Sequence, residues 1–224
     1  MRLSFAIDWF TPHIPLWERI LAPFKGMPDI HFLEVGSLEG RSACWLLSHV
    51  LTHPSSTLTC VDLFKPWNIQ PSSREDPMVV IDTNAVFDAN IAAIGATARV
   101  RKLVGNSSVL LRSLPLIAFD CIYIDASHEP RDVLQDAVLS WGLLKEKGLL
   151  ILDDYGFDDP RFPAHRPKPA IDAFLHAFLP EYDVLHKGFQ VVVRKTVVRD
   201  LSQMESFTIP ASCLTSNIPA GHSS

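Results

Sequence analysis

Residues 119–154, FDCIYIDASHEPRDVLQDAVLSWGLLKEKGLLILDD, decide the fold. The runs FDCIYID (119–125) and GLLILDD (148–154) are apolar at consecutive rather than alternate positions, the pattern of strands covered on both faces. Between them the spacing predicts a helix over 130–148. Val133, Ala137, Val138, Trp141 and Leu144 fall on one face, and Arg131, Asp132, Gln135 and Asp136 largely on another. Pro130 suits its first turn and Gly148 follows its last. A strand, a long helix and a second strand form a parallel crossover unit. The first strand stops at Asp125 and the second at the adjacent Asp153 and Asp154. Carboxylates that close repel one another unless water, a cation or a proton lies between their charges.

The same rhythm extends outward. HFLEVG (31–36), TLTCVD (57–62) and RVRKLVG (99–105) read as further buried strands, with helical segments at 41–51, 82–95 and, shorter, 107–114. A last helix is expected around 168–179. YDVLHK (182–187) and FQVVVRK (189–195) follow with only Gly188 between them, which requires an antiparallel hairpin. The expected fold is α/β: a Rossmann-like, doubly wound, mostly parallel seven-stranded sheet ending in an antiparallel hairpin, with helices on both faces. Residues 1–29, carrying Trp9, Phe10, Trp17 and Phe24, form an apolar N-terminal cap, and residues 30–199 the sheet domain. Residues 65–81 and 155–169 are cap insertions, the latter too rich in proline for regular structure. Residues 200–224, rich in Ser, Thr, Pro and Ala, are expected to form a mobile tail.

With 224 residues, 47% of them apolar and 20% charged, the chain suits one domain with a substantial core. A formal charge of -5 gives no basic footprint for nucleic acid or for an anionic membrane. No apolar run reaches membrane-spanning length, and the N-terminus lacks the pattern of a secretory signal. Cys44, Cys60, Cys121 and Cys213 contain no C-x-x-C pair, and the first three sit in apolar runs as small hydrophobes. The expected location is the cytoplasm and the expected partner a small molecule; assembly with further copies of the chain is left open.

In open parallel sheets, ligands sit beyond the carboxyl ends of the strands, where strand order reverses. Glu34-Val35-Gly36-Ser37, Asp62, Gly105-Asn106-Ser107, Asp125 and Asp153-Asp154 all fall on that edge. The loop EVGSLEGRS has glycines at 36 and 40, which allow a tight turn and close approach of backbone to a ligand, but it does not match the dinucleotide fingerprint. Asp62 is placed to accept both hydroxyls of a ribose. Glu34 suits a ligand carrying an ammonium and a sulfonium, and it would repel a pyrophosphate. A dehydrogenase is therefore disfavoured.

FLEVGSLEGRSACWLL, LTCVDLF, KLVGNSSVLL and the 119–155 passage resemble the class I S-adenosylmethionine-dependent methyltransferases. They are most similar to the small-molecule O-methyltransferases of the catechol O-methyltransferase and antibiotic-sugar type, in order from about residue 30 to 195. The resemblance implies that Glu34, Gly36, Ser37 and Ser42 hold the methionine end of the cofactor, Asp62 the ribose, and Asn106 with Ser107 the adenine side, with Asp125 also among the cofactor-binding residues. It also implies a divalent cation, magnesium by preference, on Asp125, Asp153 and Asp154, a hard-oxygen site that keeps waters for substrate to displace.

Methyl transfer from a sulfonium is an in-line displacement in which positioning supplies much of the acceleration. A hydroxyl acceptor needs deprotonation, and a divalent ion on that oxygen would lower its pKa. His128, three residues after Asp125, is the candidate base, since imidazole titrates near neutrality. Its position matches a catalytic lysine in catechol O-methyltransferase; histidine there is similar to the sugar-modifying branch. His13 and His165 lie in the caps, within reach of substrate, and Trp9, Phe10, Trp67 and Tyr155 are candidate pocket walls. Two other readings stand: a metal-independent O- or N-methyltransferase using His128 or Asp125 as base, and a methyltransferase-like binding or scaffold protein without turnover.

Overall fold

The structure, a computed structural model, describes residues 3–69 and 79–197. The expected tail at 200–224, Cys213 and the middle of the 65–81 insertion lie outside the described residues. The elements in chain order are α1 (Ile14–Ile20), β1 (His31–Val35), α2 (Arg41–His49), β2 (Thr57–Asp62), β3 (Trp67–Ile69), β4 (Val79–Ile81), α3 (Thr83–Ala93) and β5 (Val100–Val104). They continue as α4 (Ser107–Leu110), β6 (Phe119–Ile124), α5 (Pro130–Leu143), β7 (Leu144–Leu152), α6 (Pro167–Ala177), β8 (Tyr182–Lys187) and β9 (Val191–Lys195). Seven strands form one sheet in the order β5-β2-β1-β6-β7-β9-β8. The pairs from β5 to β7 are parallel, and β7–β9 and β9–β8 are antiparallel.

Two-residue alternation sorts each strand between two apolar layers. Leu33, Val35, Ile122, Ile124, Leu150, Leu152, Val191 and Val193 face the layer that holds Trp141 and Phe174. Phe32, Cys121, Tyr123, Leu149, Ile151 and Val192 face the other, with Trp17, Leu47, Phe87 and Ile91. Burying strands on both sides is what makes their sequences continuously apolar. Asp82 starts α3 by accepting the Ala85 N–H at 3.0 Å, as an N-cap should.

Two expectations shift. The helix predicted over 130–148 ends at Leu143, and the last strand of the parallel set begins at Leu144. Lys195, buried on β9, donates its Nζ to the carbonyls of Trp141 (2.7 Å) and Leu144 (3.0 Å), satisfying acceptors at the helix end. Lys147 then takes a left-handed φ of 63°, so the segment 145–148 leaves the helical path despite its helix-forming composition. The 65–81 insertion contains a two-stranded antiparallel pair, β3 with β4, too short to be legible in the sequence.

Candidate active site

β1 lies between β2 and β6, so the chain fills the sheet outward in both directions from it. The crevice beyond the β1 and β6 carboxyl ends is the ligand position of such sheets. The loop from β1 to α2 crosses it. Gly36 has φ of 90°, and a Cβ there would fall 2.0 Å from the Asp125 carbonyl oxygen, so only glycine lets the loop pass the end of β6. Leu38 and Gly40 are also left-handed, at 47° and 78°. Leu38 is strained in that region, and side chains must hold the loop there.

Glu34 and Asp62 do so. Glu34 is 0% exposed and accepts hydrogen bonds from the hydroxyls of Ser37 (2.6 Å) and Ser42 (2.5 Å). Burial pushes its carboxyl up to about 7, against the lowering effect of these hydroxyls. Glu34, expected to hold the methionine end of the cofactor, is buried with one carboxylate oxygen on each of the Ser37 and Ser42 hydroxyls. Asp62 accepts the N–H groups of Ser37 (2.8 Å) and Leu38 (2.9 Å) on one oxygen and of Phe64 (2.7 Å) on the other. Asn106 is exposed at the start of α4, its Oδ1 accepting the Ser108 N–H at 2.9 Å. Ser107 donates its hydroxyl to Asp136 at 3.0 Å, and burial raises that aspartate to about 6. These residues border the crevice, with Asp62 and Asn106 on the β2–β5 side.

The acidic residues of β6 and β7 meet on the other side, joined by residues the sequence reading missed. The Tyr123 hydroxyl lies 2.8 Å from Asp125 Oδ2 and also contacts Asp153 Oδ2. A phenol has one proton to donate, so the second contact is complete only when one carboxyl is protonated and donates to the phenol oxygen. Burial, then the Asp154 charge, raises Asp153. Asp125 is raised by desolvation and by Asp153 and Asp154, although the residue keeps solvent contact; like-charge crowding is the cause its position bears directly. Gln190 donates Nε2 to Asp153 at 2.8 Å and accepts the Trp17 indole N–H at 2.9 Å. Tyr123 was detectable as a lone hydroxyl two positions before Asp125, hence on the same strand face; Gln190 gave no comparable signal.

His128 stands where expected. Its Nε2 is 2.7 Å from Asp154 Oδ2, and Phe157 packs against its ring with centroids 4.6 Å apart. The bond to Asp154 raises the imidazole pKa more than desolvation lowers it. His165 pairs with Glu129 at 3.1 Å, and His13 stacks on Phe189 at 5.5 Å. Trp9 and Trp67 are exposed and meet edge to face at 6.4 Å. Phe10 is buried against Trp17, and Tyr155 is held by Asp172 at 2.9 Å between two lysines.

The glycine loop, which lets backbone approach a ligand, and the exposed Asn106 fit S-adenosylmethionine. Asp62, expected to accept both ribose hydroxyls, spends both oxygens on backbone N–H groups and keeps about one acceptor site. The three-carboxylate cation clamp fits less well. A void of about 10 Å³, with room for about one water-sized body, touches Asp125, Asp153 and Asp154, but Ile124, Val133, Leu152 and Pro167 also line it. Both Asp153 oxygens are engaged, Oδ1 by the Asp154 N–H at 2.7 Å and Oδ2 by Tyr123 and Gln190. Asp154 Oδ2 is engaged by His128. Among the described residues, no group of three or more His, Cys, Asp or Glu side chains is arranged to hold a metal ion.

A sheet of this order, with a glycine loop and an acidic edge at its reversal point, is that of an α/β protein that binds its ligand at the switch point. The chain belongs to the methyltransferase-domain family, whose model matches residues 33–155, over half of its length. No curated protein matches it. Among solved structures, it is similar to the O-methyltransferase TomG of Streptomyces achromogenes, in complex with S-adenosylmethionine. That match has a TM-score of 0.61 at 16% identity, covering 87% of this chain and 82% of that one. An O-methyltransferase from Bacillus cereus, in complex with S-adenosylhomocysteine, matches with a TM-score of 0.56 at 17% identity, covering 86% and 84%. A Clostridium thermocellum protein described as an rRNA methylase matches with a TM-score of 0.63 at 11% identity, covering 86% and 99%. At these identities the likeness shows the fold, and two different acceptor classes share it.

Proposed function

We propose that the chain transfers a methyl group from S-adenosylmethionine to a hydroxyl of a small molecule, with His128 as the base. The observation that carries this reading is the His128–Asp154 pair, at 2.7 Å on the acidic side of the crevice. Family membership supports methyl transfer, and the O-methyltransferase neighbours support oxygen as the acceptor atom. When bound, S-adenosylmethionine supplies an electrophilic methyl group. The chain's own residues position it and move one proton. The Gly36 loop brings backbone close, and Asp62 and Asn106 bind polar groups on the nucleoside side. Asp154 accepts the Nε2–H of neutral His128, which leaves Nδ1 as the atom that takes the acceptor proton. The resulting imidazolium keeps its carboxylate partner, and the raised pKa suits that role.

The net charge of -5 supports a small molecule over nucleic acid. The described residues include no helix long and apolar enough to cross a membrane. The thiols of Cys44, Cys60 and Cys121 are free and buried, which supports the reducing cytoplasm.

A second, metal-assisted reading rests on the three carboxylates Asp125, Asp153 and Asp154 at adjacent strand ends, the first two joined through Tyr123 and the third held by His128. Calorimetric titration with S-adenosylhomocysteine, followed by turnover on a panel of hydroxylated acceptors before and after exhaustive chelation, tests both. The first reading expects binding, and turnover that survives chelation and is lost in His128→Ala. Turnover lost on chelation and restored by magnesium would establish the second. Absence of S-adenosylhomocysteine binding would refute both.

A further inference from the structure

Residues 4–9 lie outside the sheet, yet the glycine loop and its neighbours are built to grip them. Glu39, in that loop, is 3% exposed, and its carboxylate accepts the Ala6 N–H at 3.0 Å and the Ile7 N–H at 3.4 Å. Asn90 of α3, 2% exposed, clasps Ser4 from both sides. Its Oδ1 accepts the Ser4 N–H at 2.9 Å, and its Nδ2 donates to the Ser4 carbonyl at 2.8 Å and to the Glu39 carbonyl at 3.0 Å. Arg41, the first residue of α2, donates Nε to the Ile7 carbonyl at 3.0 Å and pairs with Asp8 at 3.3 Å. Buried polar groups need such partners, and here their partners are the backbone of one N-terminal segment.

The grip falls on the loop that Asp62 holds from the other side. Leu38, whose N–H Asp62 accepts, is the residue before Glu39. Three of the five residues from Gly36 to Gly40 are left-handed, one of them a leucine, so the loop depends on its restraints. The segment continues to Trp9, which meets Trp67 of the insertion following β2. It therefore bridges the glycine loop and the insertion, on either side of Asp62.

We propose that residues 4–9 are a strap on the cofactor loop and that Glu39 is a positioning residue. By holding the strap, Glu39 fixes the loop in its binding shape, so strap docking and cofactor binding strengthen each other. Such coupling is reciprocal. The inference rests on the S-adenosylmethionine reading above, and its test separates the two. S-adenosylhomocysteine is titrated calorimetrically into the full chain and into Glu39→Ala, Glu39→Gln, Ala6→Pro and the double variant Ala6→Pro/Glu39→Ala. Ala6→Pro removes a donated N–H at an exposed position and leaves Glu39 itself in place. Glu39→Ala and Ala6→Pro are each expected to weaken binding about tenfold, as loss of a charge-assisted hydrogen bond allows. The double variant should be no weaker than either alone, and Glu39→Gln, which keeps an acceptor, should recover most of the loss. In the unaltered chain, saturating S-adenosylhomocysteine should slow hydrogen exchange at the Ala6 and Ile7 amides. Failure of the unaltered chain to bind would remove the cofactor reading and the coupling with it. Binding that leaves those amides unchanged, or that Ala6→Pro does not weaken, would overturn the strap alone, even if Glu39→Ala fails to fold.

Discussion

Replacing Glu34 by glutamine should flatten the dependence of stability on pH. The carboxyl is fully buried beneath the glycine loop and is raised from 4.5 to about 7 by that burial. A folded-state pKa above the unfolded value means that the folded chain binds the extra proton. The stabilisation is therefore complete below pH 4.5 and lost as pH rises through 7. At about 1.36 kcal/mol per pH unit, the full difference is about 3 kcal/mol, of which about 2.5 kcal/mol falls between pH 5 and pH 8. Glutamine imitates the protonated acid at every pH and still accepts from a serine hydroxyl. Urea unfolding of both proteins at pH 5 and pH 8 isolates the effect, because other titrating groups cancel in the double difference. The glutamine variant should gain about 2.5 kcal/mol relative to the parent on going from pH 5 to pH 8. Parallel pH curves, within about 0.5 kcal/mol, would refute the claim that Glu34 is held near neutrality by burial.

Other parts of the site give equally direct expectations. Gly36→Ala places a methyl 2.0 Å from the Asp125 carbonyl oxygen, so the loop must move; S-adenosylhomocysteine affinity should drop at least about tenfold while far-ultraviolet circular dichroism is retained. Gln190→Leu removes the bridge between Trp17 and Asp153, and urea unfolding should show a loss of about 1–3 kcal/mol from the stranded polar groups. The acid limb of the rate profile should follow a pKa above 6.5, since Asp154 raises His128 and the base works only when neutral. Asp154→Asn should move that limb to lower pH, and His128→Ala should cut turnover by about 10²-fold or more.

The sheet was legible because burial on both faces leaves a signature in every central strand, and a link as short as the observed 188–190, two residues longer than Gly188 alone, permits only a hairpin. The end of α5 was not, because LLKEKG favours a helix by composition and is overruled by Lys195, from a strand some fifty residues later. The acidic edge followed from topology, since every parallel strand delivers its last residue to the same side. What those residues do there did not follow. The expectation for Glu34 was drawn from its charge, and its full burial with two serine hydroxyls on its oxygens left no local pattern to read. Tyr123, Gln190 and Trp17 are united by hydrogen bonds spanning 30, 37 and 173 residues of chain, and no local pattern encodes contacts of that range. The grip of Glu39 on the N-terminal segment is of the same kind.

The bond from Trp17 to Gln190 also ties together two distant parts of the chain. Trp17 lies on α1, ahead of the first strand, and Gln190 lies directly before β9, the last strand among the described residues. Through Gln190 the orientation of Asp153 depends on both. A domain folds as a unit, so shortening either end would release a carboxylate in the middle of the sheet.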